Sequence, residues 1–356
     1  MERVRTDCGV TIGSRRVGPD QPVYIIAEAG VNHDGDVKLA FQLIEAAREA
    51  GADAVKFQVF SAERLAAEDA PSCSYQHATE SQRAMLHRLE LDEPTFRDLK
   101  CRAEHAGLEF LATPFGLPEL QFLVDLGLPA IKIASPDVVN VPLLRAAAGS
   151  GRTLIVSTGA AEQAEIDAAV ALVSAMPPAG RLVLLHCVSA YPTPPAEARL
   201  ACIGTMSRRY GVPVGFSDHT SEIHFGGLAV AAGAVMLEKH LTLDRRLAGP
   251  DHFFSLEPSA FADYVRIARG ASAALGDGRI RVSQLEREVR EKARGSIVAV
   301  QSIPAGARLQ AAMLAVQRPG GGLSASVWDQ VIGREAAVDI SAGTRLAWSM
   351  LHPARS

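Results

Sequence analysis

Short aliphatic runs alternate with alanine-rich amphipathic segments from about residue 20 to residue 260, and this alternation constrains the fold more than any other feature. The segment after the first run has apolar residues at helical spacing and ends at Gly51, where a helix C-terminus is expected. Eight strand–helix units over about 250 residues predict an α/β fold, a (β/α)8 barrel of the TIM type. A doubly wound open sheet is the alternative, but no GxGxxG follows the first run. The eight runs are VYIIAEAG, DAVKFQVF, LEFLATPF, AIKIASPD, TLIVSTGA, LVLLHCVS, VPVGFSDHT and VMLEKHL.

Polar side chains stand at or near the ends of six of these runs, which is where such a barrel gathers its reactive groups. Residues two apart on a strand share a face, so Ser217 and His219 point the same way, as do Glu238 and His240. If the seventh and eighth strands are neighbours, the two histidines lie close together at the barrel mouth. Because two imidazoles with open coordination positions suit a divalent cation, His219 and His240 are predicted metal ligands.

Lys56 and Lys132 lie inside otherwise apolar runs, where an unpaired ammonium group is costly. One interpretation is a structural ion pair with Glu28 or Glu238. The other is a pocket for a phosphate or carboxylate, in which the two lysines supply the charge. The lysine positions alone leave both interpretations open.

Hydroxyl groups near the lysines favour the anion pocket, since Ser135 and Ser157 would serve there as hydrogen-bond donors. Glu28 would then be free to act on protons. The proline-rich turn at residues 188–195 holds Tyr191 at the end of the sixth run, either as a packed loop aromatic or as a sugar contact.

Composition excludes several classes of protein. The net charge of -4 provides no broad basic field for nucleic acid. No apolar run reaches the length of a membrane span and the first residues lack the apolar core of a signal peptide, so we expect a cytoplasmic protein without a membrane partner. The five cysteines form no CxxC pair, which predicts reduced, mostly buried thiols rather than disulfides or a zinc–thiolate site.

The pattern changes after the eighth run, which divides the chain into four parts. Residues 1–20 form a predicted hairpin that could plug the bottom of the barrel, and residues 21–275 form the barrel. Residues 276–294 are charge-dense and predict a helical linker. Residues 295–356, with Pro and Gly turns and alternating apolar positions, predict a small β-rich domain.

Motifs in order along nearly the whole chain resemble the sialic acid synthase family, whose members make N-acetylneuraminate and related nonulosonic acids. The barrel motifs are IIAEAGVNHDGD, VKFQ, ATPFG, IKIAS, STGA, LHCVSAYPTPP, GFSDHT, LEKHLTLD and GPDHFFSLEP. RGSIVAV, IPAG, QRPGGG and VIGREAAVDISAG in the C-terminal part resemble the antifreeze-like (SAF) domain of that family.

This resemblance implies a condensation of phosphoenolpyruvate with an N-acetylated hexosamine in its open-chain form, commonly N-acetylmannosamine. It also implies a divalent metal, most commonly Mn2+, with Mg2+ or Co2+ as alternatives. Family members are domain-swapped homodimers, so the SAF domain is expected to cover the barrel of the partner.

The resemblance also implies roles for individual residues. The implied metal ligands are His219 and His240. The implied phosphoenolpyruvate contacts are Lys56, Thr113, Lys132, Ser135, Ser157 and, nearby, Ser217. The residues implied to contact the sugar or to assist proton transfer are Glu28, Gln58, Tyr191, Glu238 and Asp251. Arg318 of QRPG is implied to reach the N-acetyl group from the partner subunit.

Several alternatives stay open. Ser189 stands where N-acetylneuraminate synthases often carry Asn, which leaves legionaminate- or pseudaminate-type substrates possible. The segment at residues 70–86 resembles the neuraminate and legionaminate branch more than the pseudaminate branch. A sugar isomerase or aldolase on the same barrel and a non-catalytic glycan-binding protein are the competing hypotheses.

Overall fold

A computed structural model describes residues 9–71, 81–177 and 181–353. The chain divides into two compact units, residues 1–277 and 278–356. Cys8, Cys73 and most of the segment that distinguishes the family branches lie outside the described residues.

A parallel sheet organises the first unit. Eight of the strands within the described residues form this sheet, in the spatial order fifth, fourth, third, tenth, ninth, eighth, seventh and sixth strand of the chain. The two strands at its edges also contact each other, so the sheet curls into a nearly closed barrel, which confirms the predicted fold. The strands are β3 (Tyr24–Gly30), β4 (Ala54–Val59), β5 (Glu109–Pro114), β6 (Ala130–Ile133), β7 (Thr153–Ser157), β8 (Leu182–Cys187), β9 (Val214–Asp218) and β10 (Met236–His240).

Helices alternate with these strands and bury their apolar faces against the outside of the barrel. The first helix shows the local cause: the side chain of Asp36 caps it by accepting from the Lys38 amide, and its buried face carries Leu43 and Ile44. The helices are α1 (Val37–Glu49), α2 (Ala62–Leu65), α3 (Gln82–Leu89), α4 (Glu93–His105), α5 (Leu117–Asp125), α6 (Val141–Gly149), α7 (Gln163–Ser174), α8 (Ala201–Tyr210), α9 (Phe225–Ala231) and α10 (Pro258–Leu275).

The interior of the barrel has an apolar lower layer. Its members include Tyr24, Ile26, Leu111, Ile155 and Leu185, all buried in one cluster. Because side chains alternate between the two faces of a strand, the next inward position lies two residues further toward the C-terminal end. Those next positions are the polar ones, so the barrel has a packed floor beneath a polar upper layer.

A β-hairpin precedes the barrel, with β1 (Val10–Ile12) antiparallel to β2 (Arg15–Val17). Three aliphatic side chains of the hairpin belong to the same buried cluster as the lower layer. Arg15 also pairs with the carboxylate of Asp53, immediately before β4. The hairpin therefore packs at the end of the barrel opposite the C-terminal ends of the strands.

The second unit has a hydrophobic core of its own, which includes Ile297, Leu309 and Ile340. Short elements surround this core: α11 (Arg287–Ala293), β11 (Ser296–Ala299), β12 (Leu314–Gln317) and α12 (Trp328–Val331). The two strands pair antiparallel, and isolated bridges connect the remaining extended segments.

No helix among the described residues is both long enough and apolar enough to cross a membrane. Of the three cysteines they include, Cys187 is buried, Cys202 is half-buried and Cys101 is exposed. The prediction of mostly buried thiols is therefore wrong for this part of the chain, because two of the three lie on the outer helices.

Candidate active site

One polar side chain from each strand of the barrel forms the upper layer of the interior. All eight are buried, although their types are ones that globular proteins usually expose or pair, cysteine excepted. They are Glu28, Lys56, Thr113, Lys132, Ser157, Cys187, Ser217 and Glu238.

Lys56 contacts three other side chains of this layer. Its Nζ lies 2.6 Å from Glu28 Oε2 and 3.6 Å from Glu238 Oε2, and it donates to Thr113 Oγ1 at 3.1 Å. Burial opposes the positive charge, but the carboxylates of Glu238 and Glu28 outweigh burial and raise the pKa of Lys56. The ammonium group is therefore charged at neutral pH.

Lys132 is less well paired than Lys56. Its Nζ lies 3.6 Å from Glu238 Oε1 and donates to the Ile133 carbonyl at 3.2 Å. Burial lowers the pKa of Lys132 more than Glu238 raises it. Two lysines thus share one carboxylate, Glu238, which also accepts from Ser217 Oγ at 3.0 Å. The predicted ion pairs form, and Lys132 keeps donor capacity for a further anion.

Two serines lie at the ends of β6 and β7. Ser135 Oγ accepts from the Gly159 amide at 2.9 Å and lies 3.5 Å from Cys187 Sγ. Ser157 Oγ is buried without a hydrogen-bond partner. Because an unpaired buried hydroxyl is unfavourable, Ser157 has the character of a ligand donor. A Cβ at Gly159 would lie 2.3 Å from Ser189 Oγ, so the tips of β7 and β8 approach closely here.

The two predicted metal ligands are neighbours, with ring centroids 5.5 Å apart. The Val188 carbonyl, which only accepts, lies 2.9 Å from His219 Nδ1, so that nitrogen carries the proton and Nε2 is available as a ligand. His240 Nδ1 is buried without a hydrogen bond and lies 3.8 Å from Asp251 Oδ2. Burial lowers the pKa of His240 well below its ordinary value. His240 is therefore a neutral imidazole, the form that binds metals.

These two side chains fit a divalent cation that keeps open positions. Across the part of the chain that the structure describes, no group of three or more His, Cys, Asp and Glu side chains has the geometry of a metal site. A cation here would therefore be held by two imidazoles and would complete its coordination with water or substrate.

An aromatic wall flanks the histidines. The ring of Tyr191 lies 4.3 Å from that of His219 and 5.0 Å from that of Phe254. Phe254 in turn lies 4.8 Å from His240 and is buried. Tyr191 thus packs at the edge of the site, a position that suits both a loop aromatic and a sugar contact. Sequence reasoning missed Phe254, although it lies three residues after Asp251 in a motif already singled out.

Three further predicted residues converge above β3. Gln58 Nε2 donates to Glu28 Oε1 at 3.1 Å. A Cβ at Gly30 would lie 3.2 Å from Glu28 Oε1, 3.3 Å from Gln58 Nε2 and 3.7 Å from Asp251 Oδ2, so all three polar groups surround one point. Burial, and then the charge of Glu28, raise the pKa of Asp251 to about 7.

Arg318 lies exposed in the second unit, directly after β12.

Comparison with protein families gives two matches. Residues 43–280 match the NeuB family, and residues 294–352 match the SAF domain.

Comparison with individual proteins gives relatives over almost the full length. The chain is 39% identical to the N,N'-diacetyllegionaminic acid synthase of Legionella pneumophila, over 94% of this chain and 96% of that protein. It is also 39% identical to the enzyme of the same name from Campylobacter jejuni, over 88% and 95%. A solved N-acetylneuraminic acid (sialic acid) synthetase from Leptospira borgpetersenii, in complex with citrate, is 38% identical with a TM-score of 0.73, over 79% of this chain and 94% of that chain.

Proposed function

The chain belongs to the NeuB family and carries an SAF domain, and from this premise we propose that it condenses phosphoenolpyruvate with an open-chain N-acetylated hexosamine. Water is the third reactant, and the products are a nonulosonic acid and phosphate. The observation that carries this proposal is the pair of buried lysines, Lys56 and Lys132, which share Glu238 beside the unpaired hydroxyl of Ser157.

Phosphoenolpyruvate carries a phosphate and a carboxylate, and two anionic groups match two ammonium groups. We assign the phosphate to Lys132, Ser135 and Ser157, because Lys132 has the weaker internal pairing and Ser157 lacks a partner. Lys56 and Thr113, which are already hydrogen-bonded to each other, hold the carboxylate. Ser217 keeps Glu238 in place between the two lysines.

His219 and His240 would hold the divalent cation, with Mn2+ as the first choice and Mg2+ or Co2+ as alternatives. Such a cation would supply Lewis-acid polarisation of the aldehyde oxygen of the sugar. The chain itself contributes two imidazoles, one neutral through burial and one oriented by the Val188 carbonyl. Gln58, Tyr191 and Asp251 line the sugar side of this pair.

Glu28 and Glu238 serve in different proton transfers. Burial raises the pKa of Glu28, whereas Lys132 and Lys56 outweigh burial and lower the pKa of Glu238. Glu28 is thus the easier of the two to protonate and serves as the donor to the aldehyde oxygen. Glu238, the more readily ionised carboxylate, accepts the proton of the attacking water.

The reaction balances without a further reactant. The enol carbon of phosphoenolpyruvate forms a bond to the aldehyde carbon, and the aldehyde oxygen takes a proton. Water adds to the cationic C2 and loses a proton. The C–O bond to phosphate then breaks while the C2 hydroxyl gives its proton to the departing phosphate, leaving a 2-keto acid. The chain is therefore a transferase with C–O cleavage.

Two sugars are candidates for the acceptor. N-acetylmannosamine would give N-acetylneuraminate, and a 2,4-diacetamido-trideoxyhexose would give a legionaminate- or pseudaminate-type product. The names of two relatives at 39% identity favour the diacetamido sugar, and a solved synthetase at 38% identity favours N-acetylmannosamine. Ser189 stands where N-acetylneuraminate synthases often carry Asn, so this position does not select N-acetylmannosamine over the diacetamido sugar.

A domain-swapped homodimer completes the proposed site. In such a dimer, exposed Arg318 of one subunit reaches the N-acetyl group bound in the barrel of the other. A lid from a second chain also excludes water during carbon–carbon bond formation.

Phosphate release tests the reaction class. Purified protein with Mn2+ and phosphoenolpyruvate should release phosphate only when an N-acetylated hexosamine is present. With 18O in the bridging position of phosphoenolpyruvate, the label should appear in the phosphate. A sugar isomerase or aldolase would convert sugar without consuming phosphoenolpyruvate. A glycan-binding protein would bind sugar through isolated residues 295–356 and release no phosphate.

A further inference from the structure

Two loops meet on the sugar side of the barrel mouth. The first loop comprises residues 31–36 after β3, and the eighth loop comprises residues 241–257 between β10 and α10. The eighth loop presents Asp251 and Phe254 to the histidine pair. The helical structure in this loop is a single 3-10 turn, His252–Phe254. Besides this turn the loop has one isolated bridge, Leu241 to Leu256, so contacts from outside the loop add to the fixing of the two side chains.

The first loop provides that support through buried side-chain hydrogen bonds. Asn32 Nδ2 donates to the Leu241 carbonyl and to Ser255 Oγ, both at 2.9 Å. Ser255 Oγ in turn donates to the Asp251 carbonyl at 2.5 Å. Asn32 and Ser255 are fully buried, so these bonds lie in a low-dielectric environment that strengthens them.

A second connection runs from Asp34 to His252. His252 Nε2 lies 3.1 Å from Asp34 Oδ2, and His252 Nδ1 lies 2.6 Å from Thr242 Oγ1. His252 and Thr242 are fully buried. His252 follows Asp251 directly and begins the turn that carries Phe254, so this bond fixes both residues.

The local backbone is adapted to this contact. Asp34 has a φ of 50°, in the left-handed region that Asp and Asn adopt more readily than other non-glycine residues. A Cβ at Gly249 would lie 2.1 Å from Asp34 Oδ1 and 2.8 Å from His252 Nε2. Only glycine at position 249 therefore allows the carboxylate to reach the imidazole.

We propose that Asp34, acting through His252, is a positioning residue that sets Asp251 and Phe254 on the sugar side of the site. The identity of the ligand as a sugar rests on the proposed function. The residues assigned to phosphoenolpyruvate lie on or directly after β4 to β7, and neither loop supplies any of them. Loosening the eighth loop should therefore weaken sugar binding and leave phosphoenolpyruvate binding unchanged.

Two variants of Asp34 separate the loss of its hydrogen bond to His252 from a general loss of structure. Asp34→Gly removes the acceptor without strain at positive φ. Asp34→Asn keeps the size, tolerates the same backbone and can accept from His252 Nε2–H. We expect Asp34→Gly to raise the KM for the sugar about tenfold, in line with the loss of one strong hydrogen bond. The Kd of Asp34→Gly for phosphoenolpyruvate, measured by calorimetry on the Mn2+-loaded protein without sugar, should stay within about twofold of the wild-type value. The KM of Asp34→Asn for the sugar should lie close to that of the wild type.

Hydrogen exchange on the full chain supplies a readout that does not depend on turnover. Amides of residues 251–256 should exchange at least about tenfold faster in Asp34→Gly than in wild type, while those of β6 and β7 stay unchanged. If wild type turns over no sugar at all, the proposed function fails, but this exchange comparison still decides the positioning role.

Three results would overturn the inference: unchanged exchange at residues 251–256, equal weakening of sugar and phosphoenolpyruvate, or Asp34→Asn as impaired as Asp34→Gly. If Asp34→Gly does not fold, Thr242→Val takes its place. This variant removes the hydrogen bond at the other nitrogen of His252, together with two hydrogen bonds to the Asp244 backbone in the same loop. The same separation of sugar from phosphoenolpyruvate is expected.

Discussion

His219 and His240 face each other from the tips of neighbouring strands, with ring centroids 5.5 Å apart. His219 is oriented by a backbone carbonyl, and the Nδ1 of His240 is buried without a hydrogen bond. Both rings therefore retain a nitrogen for a ligand. The wall of Tyr191 and Phe254 fixes their orientation from the side.

His240→Ala should lower the affinity for Mn2+ by at least about a hundredfold, because one of only two protein ligands is lost. Turnover should disappear while the circular dichroism spectrum stays that of the wild-type barrel. Calorimetric Mn2+ titration measures the affinity, and His105→Ala, at an exposed position on α4, is the matched control. Wild-type Mn2+ affinity in His240→Ala would remove the metal role.

Lys132→Met should weaken phosphoenolpyruvate binding by about ten- to a hundredfold, the usual effect of losing one charged hydrogen bond. The fold should persist, since Glu238 keeps Lys56 and Ser217 as partners. Calorimetry gives the Kd, with Lys100→Met on the outer face of α4 as the control. Unchanged phosphoenolpyruvate affinity would show that the buried lysines are structural ion pairs only.

Arg318→Ala should raise the KM for the sugar more than the Kd for phosphoenolpyruvate, because the guanidinium is assigned to the N-acetyl group. Equal effects on both would contradict this assignment. The swapped arrangement has its own test in coexpressed Arg318→Ala and Lys132→Met chains. Each heterodimer would contain one intact site, so random pairing should restore about a quarter of the wild-type activity. No restoration would place Arg318 over its own barrel or outside the site.

The stability of the barrel should fall as the pH decreases from 6.5 to 4 because of His33. Burial is the main cause that lowers the pKa of this side chain from 6.5 to about 4. Between these values the unfolded chain binds a proton that the folded chain does not, so His33 contributes a loss on the order of 3 kcal/mol.

His33→Asn isolates this contribution, since the amide oxygen can still accept from the Gly35 amide but cannot be protonated. Urea unfolding at pH 7.5 and pH 4.5 gives the loss for each protein. The wild type should lose more than the variant, and equal losses would show that His33 titrates normally in the fold.

The barrel was predictable from the sequence because two periodicities repeat eight times. Alternation along each strand also placed Lys56 and Glu238 inside, since both lie two residues beyond an apolar inward position. The same alternation directs Lys239 and Asp218 outward, yet both are buried and form an ion pair at 3.3 Å. Strand periodicity predicts whether a side chain points into the barrel or outward. Whether an outward side chain is buried depends on the helices that cover the barrel.

The loop contacts were not predictable in the same way. The hydrogen bond between His252 and Asp34 joins positions 218 residues apart, and it depends on a positive φ at Asp34 and on close approach at Gly249. Phe254 likewise reaches the histidines only because this loop folds back over the barrel mouth. No spacing rule encodes such contacts, although the motif containing Asp251 marked the segment as functional.

Product analysis shows directly whether the protein condenses phosphoenolpyruvate with an N-acetylated hexosamine. Purified protein is incubated with Mn2+, phosphoenolpyruvate and, separately, N-acetylmannosamine or a 2,4-diacetamido-trideoxyhexose, and the products are identified by mass spectrometry. We expect at least one sugar to yield a product with the mass of that sugar plus pyruvic acid, together with one equivalent of phosphate. Neither product nor phosphate from any sugar, with both substrates recovered intact, would contradict it.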